Sequence, residues 1–198
     1  MGAHNRLVII SGPSGAGKST LVRRLVAECG LPLELSVSAT TRPPRPGEVH
    51  GRDYHFLSPA DFASRLARDE FLECKEVFGR GHWYGTLEEV VRAGWDRGNW
   101  VILEIDVEGA RSVLQRFPDA ISIFVHPGSI DELRRRLTAR GTETPESLTR
   151  RMEVAAVEME QRHWYRHEIV NQIIDAAAEA MCRLLLQYNE GKKLCLKS

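Results

Sequence analysis

Apolar residues follow two alternating spacings along the chain. Short β-branched runs at Leu7–Ile10, Trp100–Ile105 and Ile121–Val125 predict buried strands. Between such runs the apolar positions recur at helical spacing, which predicts helices near residues 21–26, 87–95, 109–117, 130–140, 145–165 and 175–188. Strands that alternate with helices are typical of an α/β fold, so we expect a parallel sheet with helices on both faces.

Two segments depart from this alternation. Residues 36–86 carry more strand and turn signals, with strands expected at 54–57 and 71–78 and irregular chain at 40–52, and we expect a small β-rich subdomain there. Residues 136–151 are charged and contain Gly141, which predicts a mobile helical lid rather than core. The remaining chain, residues 1–35, 87–135 and 152–198, would form the core domain.

Composition and charge exclude several classes of protein. The 198 residues are 42% hydrophobic and 27% charged, which is typical of a globular domain. Because 27 Lys and Arg balance 27 Asp and Glu, the chain has no overall basic field for nucleic acid. No apolar run approaches the ~20 residues of a membrane span, and Met1–Arg6 does not resemble a signal peptide. We therefore expect a cytoplasmic protein that binds neither nucleic acid nor membrane.

The four cysteines carry no local motif. They share no CxxC spacing, so neither a zinc site nor a redox pair is indicated, and we expect reduced thiols at Cys29, Cys74, Cys182 and Cys195.

A phosphate-binding loop follows the first predicted strand. Residues 12–19, GPSGAGKS, fit the pattern G-x-x-x-x-G-K-[ST] in full, with a strand before and a helix after. Glycines let backbone N–H groups surround a polyphosphate, and the helix N-terminus favours anions. Lys18 would reach the β- and γ-phosphates and Ser19 would reach Mg²⁺. The predicted ATP-binding residues here are Gly12, Pro13, Ser14, Gly15, Ala16, Gly17, Lys18, Ser19 and Thr20.

An acid ends the apolar strand at residues 100–105. Asp106 is placed where it could hold a water on Mg²⁺, so Ser19 and Asp106 are the candidate metal residues. Taken alone this signal is weak, because any buried strand can end in an acid.

Arginines occur in two clusters. Arg42 and Arg45 lie in a proline-stiffened loop, which suits guanidinium groups that hold a phosphate. Arg136, Arg140 and Arg151 are spread over the predicted lid and could deliver positive charge to a transferring phosphoryl group when the lid closes. A solvated loop and a basic helix face are the plain alternatives.

The motifs together resemble the guanylate kinase family. The segment 36–56, SVSATTRPPRPGEVHGRDYHF, is similar to the GMP-binding segment of that family. Further matching pieces follow in the family's order, namely FLE at 71–73, WYGT at 83–86, LEID at 103–106, RGTET at 140–144 and IVN at 169–171. The resemblance covers residues 6–188 and implies a P-loop kinase fold in which residues 36–86 bind GMP.

The resemblance also implies roles for individual residues. Ser38, Glu73 and Thr86 would read guanine, because a carboxylate accepts from the ring N–H and the exocyclic amine, a donor pair that adenine lacks. The GMP phosphate would be held by Arg42, Arg45, Tyr54 and Tyr84, with Glu48 orienting the arginines and Glu104 completing the GMP site. Asn171 and Gln172 would lie beside adenine. The catalytic cations would be Lys18, Arg45, Arg136, Arg140 and Arg151, with Arg140 also binding ATP.

The chain departs from the family pattern at three places. Two extra residues lie between Glu73 and Tyr84, within the stretch 79–83, which puts the loop geometry in question. Glu104 stands where some members carry Asp, and Gln172 replaces a common acid.

The implied reaction is ATP + GMP = ADP + GDP, a phosphotransfer to a phosphate acceptor that serves purine nucleotide metabolism and GMP recycling, with Mg²⁺ as cofactor. One alternative is a catalytically inactive interaction module related to these kinases, although such modules lack a working phosphate loop. Another is a kinase for a different small phosphorylated acceptor, against which the guanine-reading set argues. The sequence leaves monomer and homo-oligomer open.

Overall fold

The computed structural model describes residues 6–77, 81–139 and 145–191, and in these ranges it shows two sheets with helices around them. The helices are α1 (Lys18–Glu28), α2 (Pro59–Ala67), α3 (Glu88–Asp96), α4 (Val107–Arg116), α5 (Ile130–Ala139), α6 (Pro145–Glu160) and α7 (Ile174–Asn189). A short 3₁₀ turn, Gln161–Trp164, follows α6.

The larger sheet has five parallel strands in the order β2-β7-β1-β8-β9. These strands are β1 (Leu7–Ser11), β2 (Leu33–Leu35), β7 (Trp100–Glu104), β8 (Ile121–His126) and β9 (His167–Val170). Successive side chains of β1 point to opposite faces, so Val8 and Ile10 pack with α1 and α7, while Leu7 and Ile9 pack with α3 and α4. The predicted α/β fold, with helices on both faces of a parallel sheet, is confirmed.

The smaller sheet has the order β4-β3-β6-β5, and its strands are β3 (Ala39–Thr40), β4 (His55–Phe56), β5 (Phe71–Val77) and β6 (His82–Leu87). Helix α2 covers it through Phe62, which stacks on Phe71 with ring centroids 4.4 Å apart. The sequence did not predict β3 or β6. Both strands form by pairing with residues that are distant in the sequence. Thr40 is aligned with Tyr84, and the backbone N–H of Trp83 donates to the Thr41 hydroxyl.

The predicted lid, 136–151, contains more packed structure than a mobile loop. Leu137 on α5 is fully buried and forms a cluster with Leu133, Met152 and Ala155, so α5 and α6 pack on each other. The expectation that this stretch lies outside the core is therefore wrong at Leu137, whereas helices are present on both sides of residues 140–144, as predicted. Residues 140–144 lie outside the described ranges.

Two cysteines are joined across the fold, which corrects the expectation of four reduced thiols. Cys29 at the end of α1 and Cys182 on α7 form a disulfide, with Cα atoms 5.2 Å apart. Local spacing could not predict this pair, because the two cysteines are 153 positions apart in the sequence. Cys74 is free, and Cys195 lies outside the described residues.

Among the described residues, none of the helices has both the length and the apolar character needed to cross a membrane.

Candidate active site

The phosphate loop connects β1 to α1 and has a backbone that requires glycine. Gly12, Gly15 and Gly17 all have positive φ, at 136°, 94° and 86°. A Cβ on Gly12 would collide with the carbonyl oxygen of Val125 on β8. The Lys18 ammonium folds back over the loop and donates to the Gly12 and Pro13 carbonyls at 2.5 and 3.0 Å. The loop is thus preformed around the position of a polyphosphate.

Asn171 and Gln172 follow β9, and Asn171 contacts the phosphate loop. Asn171 is 3% exposed, and its Nδ2 donates to the Ala16 carbonyl at 2.8 Å. The same side chain lies so close to Gly17 that a Cβ there would come within 2.6 Å. Asn171 therefore fixes the shape of the loop, whereas Gln172 is exposed and lies beside Gly128.

A cleft of about 730 Å³ opens over the loop. Its lining combines loop residues, the end of β7 and one face of α6, and includes Lys18, Ser19, Arg23, Lys75, Glu104, Asp106, Arg150, Arg151 and Glu158. Ser19 Oγ donates to Glu104 Oε1 at 2.5 Å. The acid in contact with Ser19 is thus Glu104, which the sequence had assigned to GMP.

The arginines of the predicted lid differ in their position relative to the cleft. Arg151 lines the cleft, together with Arg150, which was not among the predicted site residues. Arg136 does not line it. Its guanidinium donates to Glu132 at 2.7 Å and to the Asn171 carbonyl at 2.8 Å. Arg140 lies outside the described residues.

A second group of polar side chains gathers on the smaller sheet. Arg42 is held on two sides, by Glu48 at 2.9 Å and by the Tyr84 hydroxyl at 3.1 Å, and its guanidinium lies 5.4 Å from the ring centre of Tyr54. The hydrogen bond to Glu48 raises the pKa of Arg42, and the same bond lowers the pKa of Glu48. Glu48 also accepts from the backbone N–H of Arg45 at 2.7 Å. The result is a preassembled cluster of one guanidinium, one carboxylate and two tyrosines.

Glu73 and Thr86 form a hydrogen-bonded pair next to that cluster, in which Thr86 is buried and Glu73 is partly buried. The Thr86 hydroxyl donates to Glu73 Oε1 at 2.7 Å, and Thr86 is 1% exposed. Burial raises the pKa of Glu73 to about 7; the Thr86 hydroxyl opposes this shift and the charge of Asp106 adds to it. Ser38 directly precedes β3, and its carbonyl accepts from the His55 N–H at 2.9 Å.

Asp106 joins the two groups. Its Oδ1 accepts from the Gly109 N–H at 2.8 Å and caps α4, while its Oδ2 lies 3.2 Å from the Lys75 ammonium. The Glu73 carboxylate lies against the same turn, because a Cβ on Gly109 would come within 2.8 Å of Glu73 Oε2. Asp106 therefore links the Glu73–Thr86 pair to the cleft over the phosphate loop.

Sequence reasoning missed Lys75 and Glu158. Burial raises the pKa of Glu158 to about 7, whereas the charge of Lys18 lowers it. Helical spacing could have found this residue, because Glu158 lies seven positions after Arg151 and so on the same face of α6. Strand alternation could have found Lys75, two positions after Glu73 on β5.

Comparisons with known proteins give a consistent picture. Residues 4–188 match the family described as Guanylate kinase. A "Guanylate kinase" from Rhodopirellula baltica is 57% identical over 91% of this chain and 87% of its own length. Another from Caldanaerobacter subterraneus is 40% identical over 96% of this chain and 93% of its own. A crystal structure of guanylate kinase from Anaplasma phagocytophilum superposes with a TM-score of 0.70 at 30% identity, covering 96% and 88% of the two chains.

Proposed function

The chain belongs to the guanylate kinase family, and we propose that the two polar groups described above carry out the family's reaction, in which ATP phosphorylates GMP to give ADP and GDP. The enzyme is a phosphotransferase. Its donor would occupy the phosphate loop and its acceptor the smaller sheet, with the cleft between them as the place of transfer.

The ATP side is supported by the loop geometry. Lys18 now donates to carbonyls of its own loop, and these bonds would be exchanged for oxygens of the β- and γ-phosphates. Ser14 to Thr20 would supply backbone N–H groups to the same phosphates. Arg151 from α6 would add positive charge at the transferring group, and we keep Arg136 and Arg140 as predicted lid cations.

The GMP side is supported by the polar pairs. Arg42, Tyr54 and Tyr84 would bind the GMP phosphate, Arg45 would close on it from the exposed loop, and Glu48 would hold Arg42 in place. Glu73 and Thr86, with Ser38, would bind guanine. Adenine would leave the partly buried Glu73 carboxylate without its donor pair, which is a strong basis for rejection.

The residues around Ser19 suit magnesium. A serine hydroxyl in contact with the Glu104 carboxylate is a set of hard oxygen donors, and Mg²⁺ prefers such donors while it keeps several waters and binds substrate phosphates. Ser19 and Glu104 would hold the ion, and Asp106 remains a predicted contact through water. When bound, Mg²⁺ offsets charge on the transferring phosphoryl group.

Catalysis would rest on positioning and charge. The GMP phosphate oxygen is already anionic, so no strong general base is needed. Lys18 and the arginines would align the two substrates and stabilise the charge that develops between them. Because water would compete as acceptor, we propose that the lid and the GMP-binding subdomain close over the substrates.

One observation carries the proposal, namely that Asp106 lines the cleft over a complete phosphate loop and lies, with the carboxylate of the Glu73–Thr86 pair, against Gly109. The test is a coupled assay of ADP release with ATP, Mg²⁺ and GMP, AMP, UMP or no acceptor. We expect release with GMP alone and its loss in Lys18→Ala. No release from folded protein that still binds GMP would favour the interaction module.

We further propose that the enzyme works in the cytoplasm, where both nucleotides are present, with ATP and GMP as its small-molecule partners. The Cys29–Cys182 disulfide does not fit the reduced thiols typical of that compartment.

A further inference from the structure

Lys75 is a cation in the cleft that the roles above leave unused. It lies on β5, lines the same cleft as Lys18 and Ser19, and contacts two carboxylates of the core domain, Asp106 at 3.2 Å and Glu108. Hydrogen bonds and charge from these two acids raise its pKa, although burial acts in the opposite direction. The side chain is therefore a charged ammonium held at the boundary between the smaller sheet and α4.

The strand register places Lys75 among the predicted GMP-binding residues. In the antiparallel pair of β5 and β6, Glu73 is aligned with Thr86 and Lys75 with Tyr84. Directly paired residues share a face of the sheet, and so do residues two apart on one strand. Glu73, Thr86, Lys75 and Tyr84 thus form a two-by-two patch on one face.

The order of the two residue pairs along the strands matches the order of base and phosphate in a nucleotide. Its first pair is the one proposed to read guanine, and its second pair begins about 7 Å further along the strand. Tyr84 in the second pair accepts from Arg42, the centre of the proposed phosphate site. A GMP molecule laid along the patch would place its phosphate beside the pair that contains Lys75.

We propose that Lys75 is a further phosphate-binding residue of the GMP site, held toward the cleft by Asp106 and Glu108. This inference rests on the proposed function. An ammonium has three N–H donors. Among the described residues its hydrogen-bond partners are the two acids, so a third N–H is available for a GMP phosphate oxygen. The same charge offsets the carboxylates that the incoming phosphate must approach.

The test separates binding of the phosphate from binding of the base. GMP and guanosine are titrated by calorimetry, guanosine in competition with GMP, into the wild type, Lys75→Met and Lys75→Arg. Loss of a hydrogen bond between charged groups predicts that Lys75→Met weakens GMP about ten- to hundredfold. We expect guanosine binding to stay unchanged and Lys75→Arg to retain most of the GMP affinity.

Two controls accompany these variants. Arg68→Met removes one positive charge from the exposed surface of the same subdomain, where Arg68 pairs with Glu70, and should leave both affinities unchanged. Thermal unfolding shows whether Lys75→Met is folded, and Lys75→Gln replaces it if it is not. In turnover we expect the KM for GMP to rise more than kcat falls.

Two outcomes would overturn the inference. Equal weakening of GMP and guanosine would make Lys75 a structural residue, and unchanged GMP affinity would assign its ammonium to the acids alone. A wild type that neither binds nor phosphorylates GMP would instead refute the proposed function, so the two failures are distinguishable.

Discussion

The partly buried Glu73 carboxylate is costly to ionise in the free protein. Glu73 has only Thr86 as a side-chain hydrogen-bond partner among the described residues, and burial raises its pKa to about 7. Ionised Glu73 thus lowers the stability of the free folded protein, because the remaining hydrogen-bond donors for its carboxylate would be supplied by bound guanine. This arrangement favours specificity over stability, since the site is satisfied only by the correct base.

Glu73→Gln tests this cost through its pH dependence. The folded pKa of about 7 lies above the ordinary value of 4.5, so the folded state binds more protons between these values and stability falls as pH rises through them. The Glu73→Gln variant does not ionise and therefore does not lose stability in this way. We expect it to gain on the order of 2 to 3 kcal/mol over the wild type at pH 8 and little at pH 4.5.

Denaturant unfolding of the free proteins at both pH values measures the difference. Glu76→Gln on the same strand is the matched control, because Glu76 is exposed and has no burial cost to relieve. An equal gain at both pH values would contradict the assignment of the cost to ionisation of Glu73. The KM for GMP should rise in Glu73→Gln and stay unchanged in the control.

The strand–loop–helix unit of β1, the phosphate loop and α1 is the part of the molecule proposed to position the ATP phosphates. Its shape depends on contacts from three directions, since β8 closes on Gly12, α5 on Gly15 and Asn171 on Gly17. Glycine is therefore required at these positions both for the positive φ angle and for the close approach of neighbouring atoms. A side chain at any of them would have to displace backbone or buried groups.

Gly12→Ala and Gly30→Ala separate these two effects. Both glycines have positive φ, but a Cβ at Gly12 meets the Val125 carbonyl, whereas a Cβ at Gly30 meets nothing within 4 Å. We expect a cost of about 1 kcal/mol for Gly30→Ala from backbone strain alone. For Gly12→Ala we expect about 2 to 5 kcal/mol together with loss of ATP binding.

Chemical denaturation and ATP titration would check both variants. Similar losses of stability at the two positions would show that backbone strain, and not the approach of β8, makes glycine necessary in the loop.

The proposed closure would move the smaller sheet against the core domain, and Lys75 of the smaller sheet lines the cleft together with core residues. The smaller sheet and the core domain touch through the ion pairs of Lys75 and through Leu72, which packs with Val107 in the core. The half-exposed ion pairs contribute little to stability and can be exchanged for contacts with substrate. Such an interface permits movement of one part against the other.

Closure predicts a change in the shape of the protein in solution. Small-angle scattering with GMP and a non-hydrolysable ATP analogue together should give a smaller radius of gyration than the free protein. Each nucleotide alone should give less of the change, because each contacts one side of the cleft. Superimposable profiles in all four states would refute closure.

Elements with local signals were predicted well. The buried strands β1, β7 and β8 and the helices between them follow from apolar spacing, and the phosphate loop follows from eight consecutive residues. Strands β3 and β6 were not predicted. They are short or polar, and they form because distant chain supplies their hydrogen-bond partners.

The chemistry proposed for this protein could be predicted from short stretches of its sequence, because a phosphate loop or a carboxylate proposed to bind guanine needs particular residues at fixed spacing. Contacts between residues that are distant in the sequence were decided only by the tertiary structure. Lys75 with Asp106, Asn171 beneath Ala16, Glu104 with Ser19, and Cys29 with Cys182 are separated by 31 to 155 positions. Their physical origin is the packing of strands and helices, which brings side chains together without leaving a local pattern.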